Sequence, residues 1–276
     1  MFNGKISVII STYNREKALE KVLVSLINQT DDNYELIVAD DGSNYKTQDV
    51  VNKIRKQSNV CLKYAWQEDE GFRLARIRNK AIMQATGEYI ILIDGDCIAP
   101  KNFIRNHRKL AEKGWAIMGQ RILSNKTYSK YLEDSSNYKV PIQLKPKTLF
   151  KLFLKRKVNR FLPAVEINCL PLRTLRKLKP KNWKLVKGCN FSFWKNDYEK
   201  INGSDENFLG WGSEDKDLAV RLVNSGVFLK DGRNYVWVLH LWHQERSRTR
   251  EHTNFRMVVE RAKSKQILPI KGMFDE

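Results

Sequence analysis

The stretch Asn207-Phe208-Leu209-Gly210-Trp211-Gly212-Ser213-Glu214-Asp215-Lys216-Asp217 places an indole and adjacent carboxylates on a glycine-flexed loop, just before a helix-like run. An indole covers an apolar ring face, and carboxylates hydrogen-bond or deprotonate hydroxyls, so these residue types suit a sugar and the removal of a proton from it. The same residues also read as an acidic helix N-terminus, with Ser213 as N-cap and Glu214, Asp215 and Asp217 complementing the dipole. Asp94-Gly95-Asp96 sets two carboxylates two residues apart after an apolar run. Hard oxygen ligands of this kind suit Mg2+ or Mn2+ carrying a diphosphate, although a lone pair of this spacing is common in loops. His240 and His243 supply two of the four histidines, after the strand-like Tyr235 to Leu239. Either imidazole could complete a metal site begun by Asp96, and a borderline ligand favours Mn2+ over Mg2+. A histidine beside a strand is more commonly structural, and His107 and His252 read as structural or solvated. Arg73, Arg76 and Arg78 stand near a helix start, where they either meet phosphate or form a basic helix face.

These residues fall where an alternating chain would bring them together. Ile6 to Ile10 reads as a strand, Glu16 to Gln29 as an amphipathic helix, and Tyr34 to Ala39 as a second strand ending in Asp40-Asp41-Gly42-Ser43. A helix from about Lys46 to Gln57, a strand near Val60 to Trp66, a helix near Arg73 to Ala85 and a strand from Tyr89 to Ile93 follow. Strands alternating with helices predict an α/β domain with a mainly parallel central sheet flanked by helices. In such sheets ligands bind at the carboxyl ends of the strands. Ser11 to Arg15, Asp40 to Ser43 and Asp94 to Asp96 all directly follow strands, which points to a common site.

The whole chain carries a formal net charge of +19, and from Lys139 to Lys187 there are 15 Lys or Arg against one acidic residue, Glu166. Such a block meets anionic lipid, nucleic acid or an acidic substrate, or stays a solvated face. Leu149 to Leu162 reads as a basic amphipathic helix, with Phe150, Phe153, Leu154, Val158 and Phe161 on one side, suited to a membrane interface or to packing on its own domain. No apolar run spans a bilayer and Met1-Phe2-Asn3-Gly4 shows no signal-peptide pattern, so a cytoplasmic chain is expected. Cys61, Cys97, Cys169 and Cys189 lie far apart without a CxxC pair, which argues against a disulfide framework or a thiolate zinc site. No glycine-rich phosphate cradle of the P-loop or dinucleotide type is present.

Taken together the motifs resemble the inverting, nucleotide-sugar-dependent glycosyltransferases of family 2 with the GT-A fold. Ile6 to Arg15 is similar to their opening strand and loop, Val38 to Ser43 to their second-strand motif, and Asp94-Gly95-Asp96 to their DxD. Asn202-Gly203 through Gly210-Trp211-Gly212-Ser213-Glu214-Asp215 resembles a segment of β-1,4-galactosyltransferases and chondroitin-polymerase-type enzymes, and Gly71-Phe72-Arg73-Leu74-Ala75 resembles the polymerase-type GFRLA. His240 to His243 resembles their downstream metal-binding segment. The likeness covers about residues 5 to 123 and 186 to 245, and the basic stretch between is not accounted for.

The resemblance implies a single domain: a nucleotide-binding half over 1–123, a basic insertion over 124–185, and an acceptor-binding half with a C-terminal tail over 186–276. It implies that Ser11, Tyr13, Arg15 and Asp41 hold uridine, that Arg73 and Arg76 join the nucleotide site, and that Asp94 reaches the ribose or a metal-bound water. Asp96 and His243 would bind Mn2+ (or Mg2+) directly, and His240 stands where relatives can provide another ligand. Trp211, Gly212 and Glu214 would hold the acceptor and Asp215 would be the general base. Ser213 departs from the glycine of many relatives. The implied partners are a UDP-sugar, with UDP-Gal or UDP-GalNAc preferred and UDP-GlcNAc or UDP-Glc open, and a glycan or lipid-linked glycan acceptor of surface polysaccharide, capsule or lipopolysaccharide synthesis. Peripheral contact with anionic membrane on the cytoplasmic face fits the basic block, and nucleic acid is not expected. A metal-dependent nucleotidyltransferase would also use the carboxylate pair but gives no reason for Trp211. A non-catalytic nucleic-acid-binding protein would explain the charge but not the acidic strand ends.

Overall fold

The computed structural model describes residues 2–135, 144–167, 174–244 and 248–275. Strands β1 (Ile6–Thr12), β2 (Tyr34–Asp40), β3 (Leu62–Trp66) and β4 (Tyr89–Asp94) lie parallel in the order β3-β2-β1-β4. Every residue of β1 and β2 is buried, as β-branched runs covered on both faces require. Ile6, Val8 and Ile10 pack with Leu19, Val22 and Leu26 of α1 (Glu16–Ile27) and with Val51 and Ile54 of α2 (Tyr45–Lys56). Ile9 faces the other way, into a second layer with Ile77 and Ala81 of α3 (Leu74–Met83). The period-2 strand pattern thus divides one sheet between two cores.

Beyond β4 the sheet changes direction. β8 (Asn190–Trp194), which runs on into the short α7 (Lys195–Lys200), pairs antiparallel with β4 and with β6 (Trp115–Met118), and β9 (Phe228–Asp231) pairs parallel with β6 at the edge. A smaller sheet joins β5 (Cys97–Ile98), β10 (Trp237–His240) and β7 (Gln120–Leu123), with β10 in the middle. It brings His240 opposite Cys97, next to the end of β4. Between these lies α4 (Phe103–Leu110), whose buried His107 contacts Ser192 Oγ at 2.8 Å and Asn190 Oδ1 at 3.1 Å, so it is structural as expected. Burial pushes its imidazole down to about 3.

The helix expected from Leu149 to Leu162 is shorter. It runs over Pro146–Leu154 as α6, after α5 (Lys126–Asp134). Arg156 turns left-handed at φ 54°, and the Arg156 and Lys157 N–H groups bond the Phe153 and Leu152 carbonyls at 2.9 and 2.8 Å, satisfying the helix end. Val158 then pairs with Ser124, which a continuing helix would forbid. The basic block is stitched to the fold further on. Buried Arg176 donates to the carbonyls of Asp231, Arg233 and Ile167. Lys139 and Cys169 lie outside the described residues. Among the described residues no helix is long and apolar enough to cross a membrane.

A candidate active site at the carboxyl ends of the strands

The ends of β1, β2 and β4 open into a cleft of about 410 Å³, and the loop before α8 (Glu214–Asn224) forms its opposite wall. On the strand side, Asp41 is almost wholly buried. Its Oδ1 accepts from Gln67 Nε2 at 2.7 Å and its Oδ2 from the Arg73 N–H at 2.9 Å. Gln67 Oε1 beside it is buried with no hydrogen-bond partner among the described residues. Tyr13 faces the cleft and donates to Asp69 at 2.7 Å. Arg15 turns to the DxD instead, with Nη1 3.3 Å from Asp96 Oδ2 and its other arm on Glu133.

The three arginines near the start of α3 part company. Arg73 contributes its backbone N–H while its side chain bonds the Glu70 carbonyl. Arg76 pairs with Glu70 at 2.8 Å, and neither lines the cleft. Arg78 does. Its side chain is 3% exposed, bonds Ser11 Oγ at 3.1 Å, and lies 3.3 Å from Asp94 Oδ1 and 3.9 Å from Glu214 Oε1. The one-turn step from residue 74 to 78 turns it inward, whereas Arg76 lies two residues off that face.

Asp96 is the hub of the groups that could hold a metal ion. His240 Nε2 lies 3.6 Å from its Oδ1, and His243 Nε2 lies 3.6 Å from its Oδ2. His243 Nδ1 is 2.9 Å from the Gln244 carbonyl, which only accepts, so Nδ1 carries the hydrogen and Nε2 keeps a lone pair toward Asp96. Ligand atoms of Asp94, Asp96, Cys97 and His240 lie within 4.8 Å of one another. Bonds of about 2.1 Å to a shared cation allow ligand atoms up to about 4.2 Å apart, so the 3.6 Å separations of Asp96 from the two imidazoles fit one, and the carboxylate-imidazole set suits Mn2+ or Mg2+. Desolvation pushes Asp94 up to about 6 against the pull of Arg78, and the Asp96 and Asp215 charges add to it. Desolvation also lowers His240, which Asp96 opposes.

The opposite wall is built by backbone conformations that most residues avoid. Gly210 and Gly212 have φ of 73° and 109°, and Ser213 has φ 74°. Gly212 has room for a side chain, so its positive φ is what demands glycine. Ser213 occupies the N-cap position but makes no side-chain cap bond, because the left-handed turn replaces the extended backbone of an ordinary cap. That turn also explains why a glycine suits this position. Trp211 lines the cleft under the Arg248 guanidinium, 5.1 Å from the ring centroid. Asp215 Oδ2 accepts the Gly188 N–H at 2.7 Å, and Oδ1 accepts the Lys216 N–H at 2.8 Å. Glu214 Oε2 is buried with no hydrogen-bond partner among the described residues. Burial, and then the Asp215 charge, push Glu214 up to about 7.

Asp217 anchors this helix from beneath. It bonds Arg221 Nε at 2.8 Å and Arg261 of α9 (Glu251–Ser264), which also holds Asp205 at 2.8 Å. Arg121, Lys184 and Lys187 line the cleft as well, and their sequence surroundings gave no sign of it. Gln67 was more legible, since it follows a third strand end.

Comparison with known proteins fits this geometry. A model described as glycosyl transferase family 2 matches residues 7–177. The chain belongs to glycosyltransferase family 2. The match runs across part of the basic block that the sequence motifs left unexplained. A model described as the N-terminal domain of galactosyltransferase matches residues 172–237 of this family 2 chain. Chondroitin synthase of Escherichia coli is 28% identical over 230 residues, covering 82% of this chain and 33% of that protein. Validoxylamine A glucosyltransferase of Streptomyces hygroscopicus subsp. limoneus is 27% identical over 229 residues, covering 80% and 48%. The chain thus spans a third to about half of the length of these relatives. Residues 1–349 of S. aureus TarS in complex with UDP superpose with a TM-score of 0.63 at 17% identity, covering 95% of this chain and 65% of that one. A mannosyltransferase of Pyrobaculum calidifontis in complex with GDP-Man and Mn2+ gives 0.59 at 16%, covering 96% and 64%. These neighbours share the GT-A fold, and the comparisons favour neither a nucleotidyltransferase nor a nucleic-acid-binding protein.

Proposed function

We propose that this chain transfers a sugar from a UDP-sugar to a hydroxyl of a glycan acceptor, with inversion at the anomeric carbon. The observation that carries the reading is the meeting, in one cleft, of Asp94, Asp96 and His243 with Trp211, Glu214 and Asp215. UDP-Gal and UDP-GalNAc are the favoured donors, ahead of UDP-GlcNAc and UDP-Glc. The acceptor is a growing or lipid-linked glycan of surface polysaccharide, capsule or lipopolysaccharide synthesis. Chondroitin synthase among the relatives supports a glycan acceptor, and the UDP bound by TarS supports a uridine diphosphate donor.

Tyr13 and Asp41 hold the base, Ser11 and Asp94 the ribose side, and of Arg73, Arg76 and Arg78, the three arginines expected near phosphate, Arg78 takes that place. Arg15 positions Asp96. A divalent cation, Mn2+ or Mg2+, held by Asp96 and His243 with His240 beside them, would neutralise the charge on the departing diphosphate. Trp211 covers the apolar face of the acceptor sugar over the floor made by Gly212, and Glu214 hydrogen-bonds its hydroxyls. Asp215 takes the proton of the attacking hydroxyl, whose oxygen bonds the anomeric carbon as the bond to the diphosphate oxygen breaks on the opposite face. An α-linked donor therefore yields a β-glycoside.

Residues 1–123 form the nucleotide half, 186–276 the acceptor half and tail, and 124–185 a basic insertion between them. Phe150, Phe153 and Leu154 are exposed on α6 beside Lys151 and Lys155, which supports peripheral contact of the insertion with anionic membrane at the cytoplasmic face. Nucleic acid is not among the partners. The test is a panel of UDP-sugars with Mn2+, scoring UDP release with and without glycan acceptors and the anomer formed by NMR. Acceptor-dependent UDP release with a β-product supports the reading. Pyrophosphate release, or a retained anomer, overturns it. Clearing Lys151, Lys155, Arg156 and Arg160 should weaken binding to anionic vesicles, and unchanged binding removes the membrane part.

A further inference from the structure

Cys97 directly follows the DxD, and nothing in the reading above gives it work. Its partner in the antiparallel pairing of β5 with β10 is His240, and directly opposed residues project from the same face of a sheet. Both side chains are buried, and both flank the same carboxylate oxygen. Cys97 Sγ lies 3.7 Å from Asp96 Oδ1, and His240 Nε2 lies 3.6 Å from that atom. The His240 side chain is 11% exposed, and its Nε2 faces this oxygen from beyond hydrogen-bond distance. His243 addresses the other oxygen, Oδ2. Asp96 therefore faces two different donor sets. On the Oδ2 side stand the His243 imidazole and the Arg15 guanidinium, 3.6 and 3.3 Å away. On the His240 side a thiol joins in.

We propose that Asp96, Cys97 and His240 form a second, thiophilic metal position that takes Zn2+ and competes with the cation of the proposed function for Asp96. Contacts of 3.6 to 3.7 Å between donor atoms match the edges of a tetrahedron whose centre lies about 2.0–2.3 Å from each of them, which is the range of zinc bonds to nitrogen, oxygen and sulfur. A thiolate with an imidazole and one carboxylate selects zinc over manganese, because the softer ligand gains most with the softer ion. Binding replaces the S–H bond of Cys97 by a Zn–S bond and releases that proton to solvent. Zinc bound this way occupies an oxygen of the carboxylate that the proposed function assigns to Mn2+, so zinc inhibits transfer.

The inference rests on the metal-site part of the proposed function, and its test separates the two. Zinc K-edge X-ray absorption of the wild-type chain with one equivalent of Zn2+ should show one sulfur scatterer at about 2.3 Å. With Co2+ in place of Zn2+, the wild type and Cys61→Ser should give a near-ultraviolet sulfur-to-cobalt charge-transfer band that Cys97→Ser lacks. Zinc affinity should fall in Cys97→Ser by at least roughly tenfold, the loss that even an outer-shell partner's removal causes. A zinc shell without sulfur, or a cobalt band that survives Cys97→Ser, overturns the proposal. Mn2+ binding in the presence of UDP, followed by electron paramagnetic resonance on the wild type, reads the proposed function independently of the thiol. Its failure sinks that reading whatever the zinc shell contains.

Discussion

Replacing Asp215 by Asn removes the proposed base and little else, and the structure sets how much else. Asp215 accepts two backbone N–H groups, from Gly188 at 2.7 Å and Lys216 at 2.8 Å, one on each oxygen. An amide has one oxygen, so its NH2 must face one of these donors. Leaving that N–H unsatisfied costs about 1 to 3 kcal/mol when buried, and the lower end applies to this half-buried side chain. In a chain of this size about 1 kcal/mol lowers the melting temperature by roughly 2–4 °C. The chemical loss is larger. A positioned general base contributes roughly 10²- to 10⁴-fold, equivalent to about 3–5 kcal/mol of barrier. Asp215→Asn should therefore melt within a few degrees of wild type and bind UDP with Mn2+ normally, since no nucleotide contact is assigned to it. Acceptor-dependent UDP release should fall at least roughly a hundredfold. Calorimetric titration with UDP and a coupled UDP-release assay measure the two effects separately. Full transfer by the variant refutes the assignment of the base. An equal loss of UDP binding and transfer refutes the division of the cleft into donor and acceptor sides.

Four further outcomes follow from the same wall. Glu214 holds its proton up to about pH 7, so if the protonated carboxyl serves the acceptor, kcat/KM should decline as pH rises through that value, and Glu214→Gln should flatten that limb. The same shift acts on stability: the unfolded chain releases this proton near its ordinary 4.5 and the fold only near 7, so denaturant midpoints should drop as pH rises across that window and less so in the variant. Ser213→Gly relieves a left-handed φ of 74° and loses no cap bond, so it should stabilise the chain by about 1 kcal/mol in urea unfolding; a loss of stability would show that the Ser213 side chain contributes. Arg261→Met leaves Asp205 and Asp217 as buried carboxylates with a partner removed, which should cost about 3–5 kcal/mol and lower acceptor-dependent turnover more than UDP binding.

The parallel strands and the helices between them were legible because burial on both faces leaves uninterrupted β-branched runs, and because each strand end is marked by polar residues. Ser11, Asp41 and Asp94 stood at those ends and line the cleft. Periodicity overran at Leu149 to Leu162, where apolar residues at helical spacing hid a left-handed Arg156 and a Val158 paired to Ser124. Nothing local announces a residue that gives up helical geometry for long-range pairing. Arg76 and Arg78 look alike in sequence, and only their positions on α3 decide which one reaches Asp94. Arg121 and Lys187 have no motif at all. They reach the cleft through β7 and the approach to β8, whose places in the two sheets are set by partners distant in sequence.

Two contacts explain how the halves of the sequence act as one site before any ligand arrives. Arg78 reaches Ser11 at the end of β1, Asp94 at the end of β4 and Glu214 at the start of α8, so a single buried guanidinium joins the strands of the proposed nucleotide side to the helix of the proposed acceptor side. Gly188, just before β8, gives its N–H to Asp215 and packs against Arg78, whose Nη2 lies 3.0 Å from where a Cβ would stand. β8 in turn pairs antiparallel with β4. The strand that carries the DxD thus fixes the neighbour that aims Asp215. The antiparallel strand that breaks the parallel order of the sheet is therefore the element that sets Asp215, the proposed base, against the carboxylates proposed to hold the metal. Holding reacting groups in register in this way contributes to rate through orientation, without any further contact to substrate.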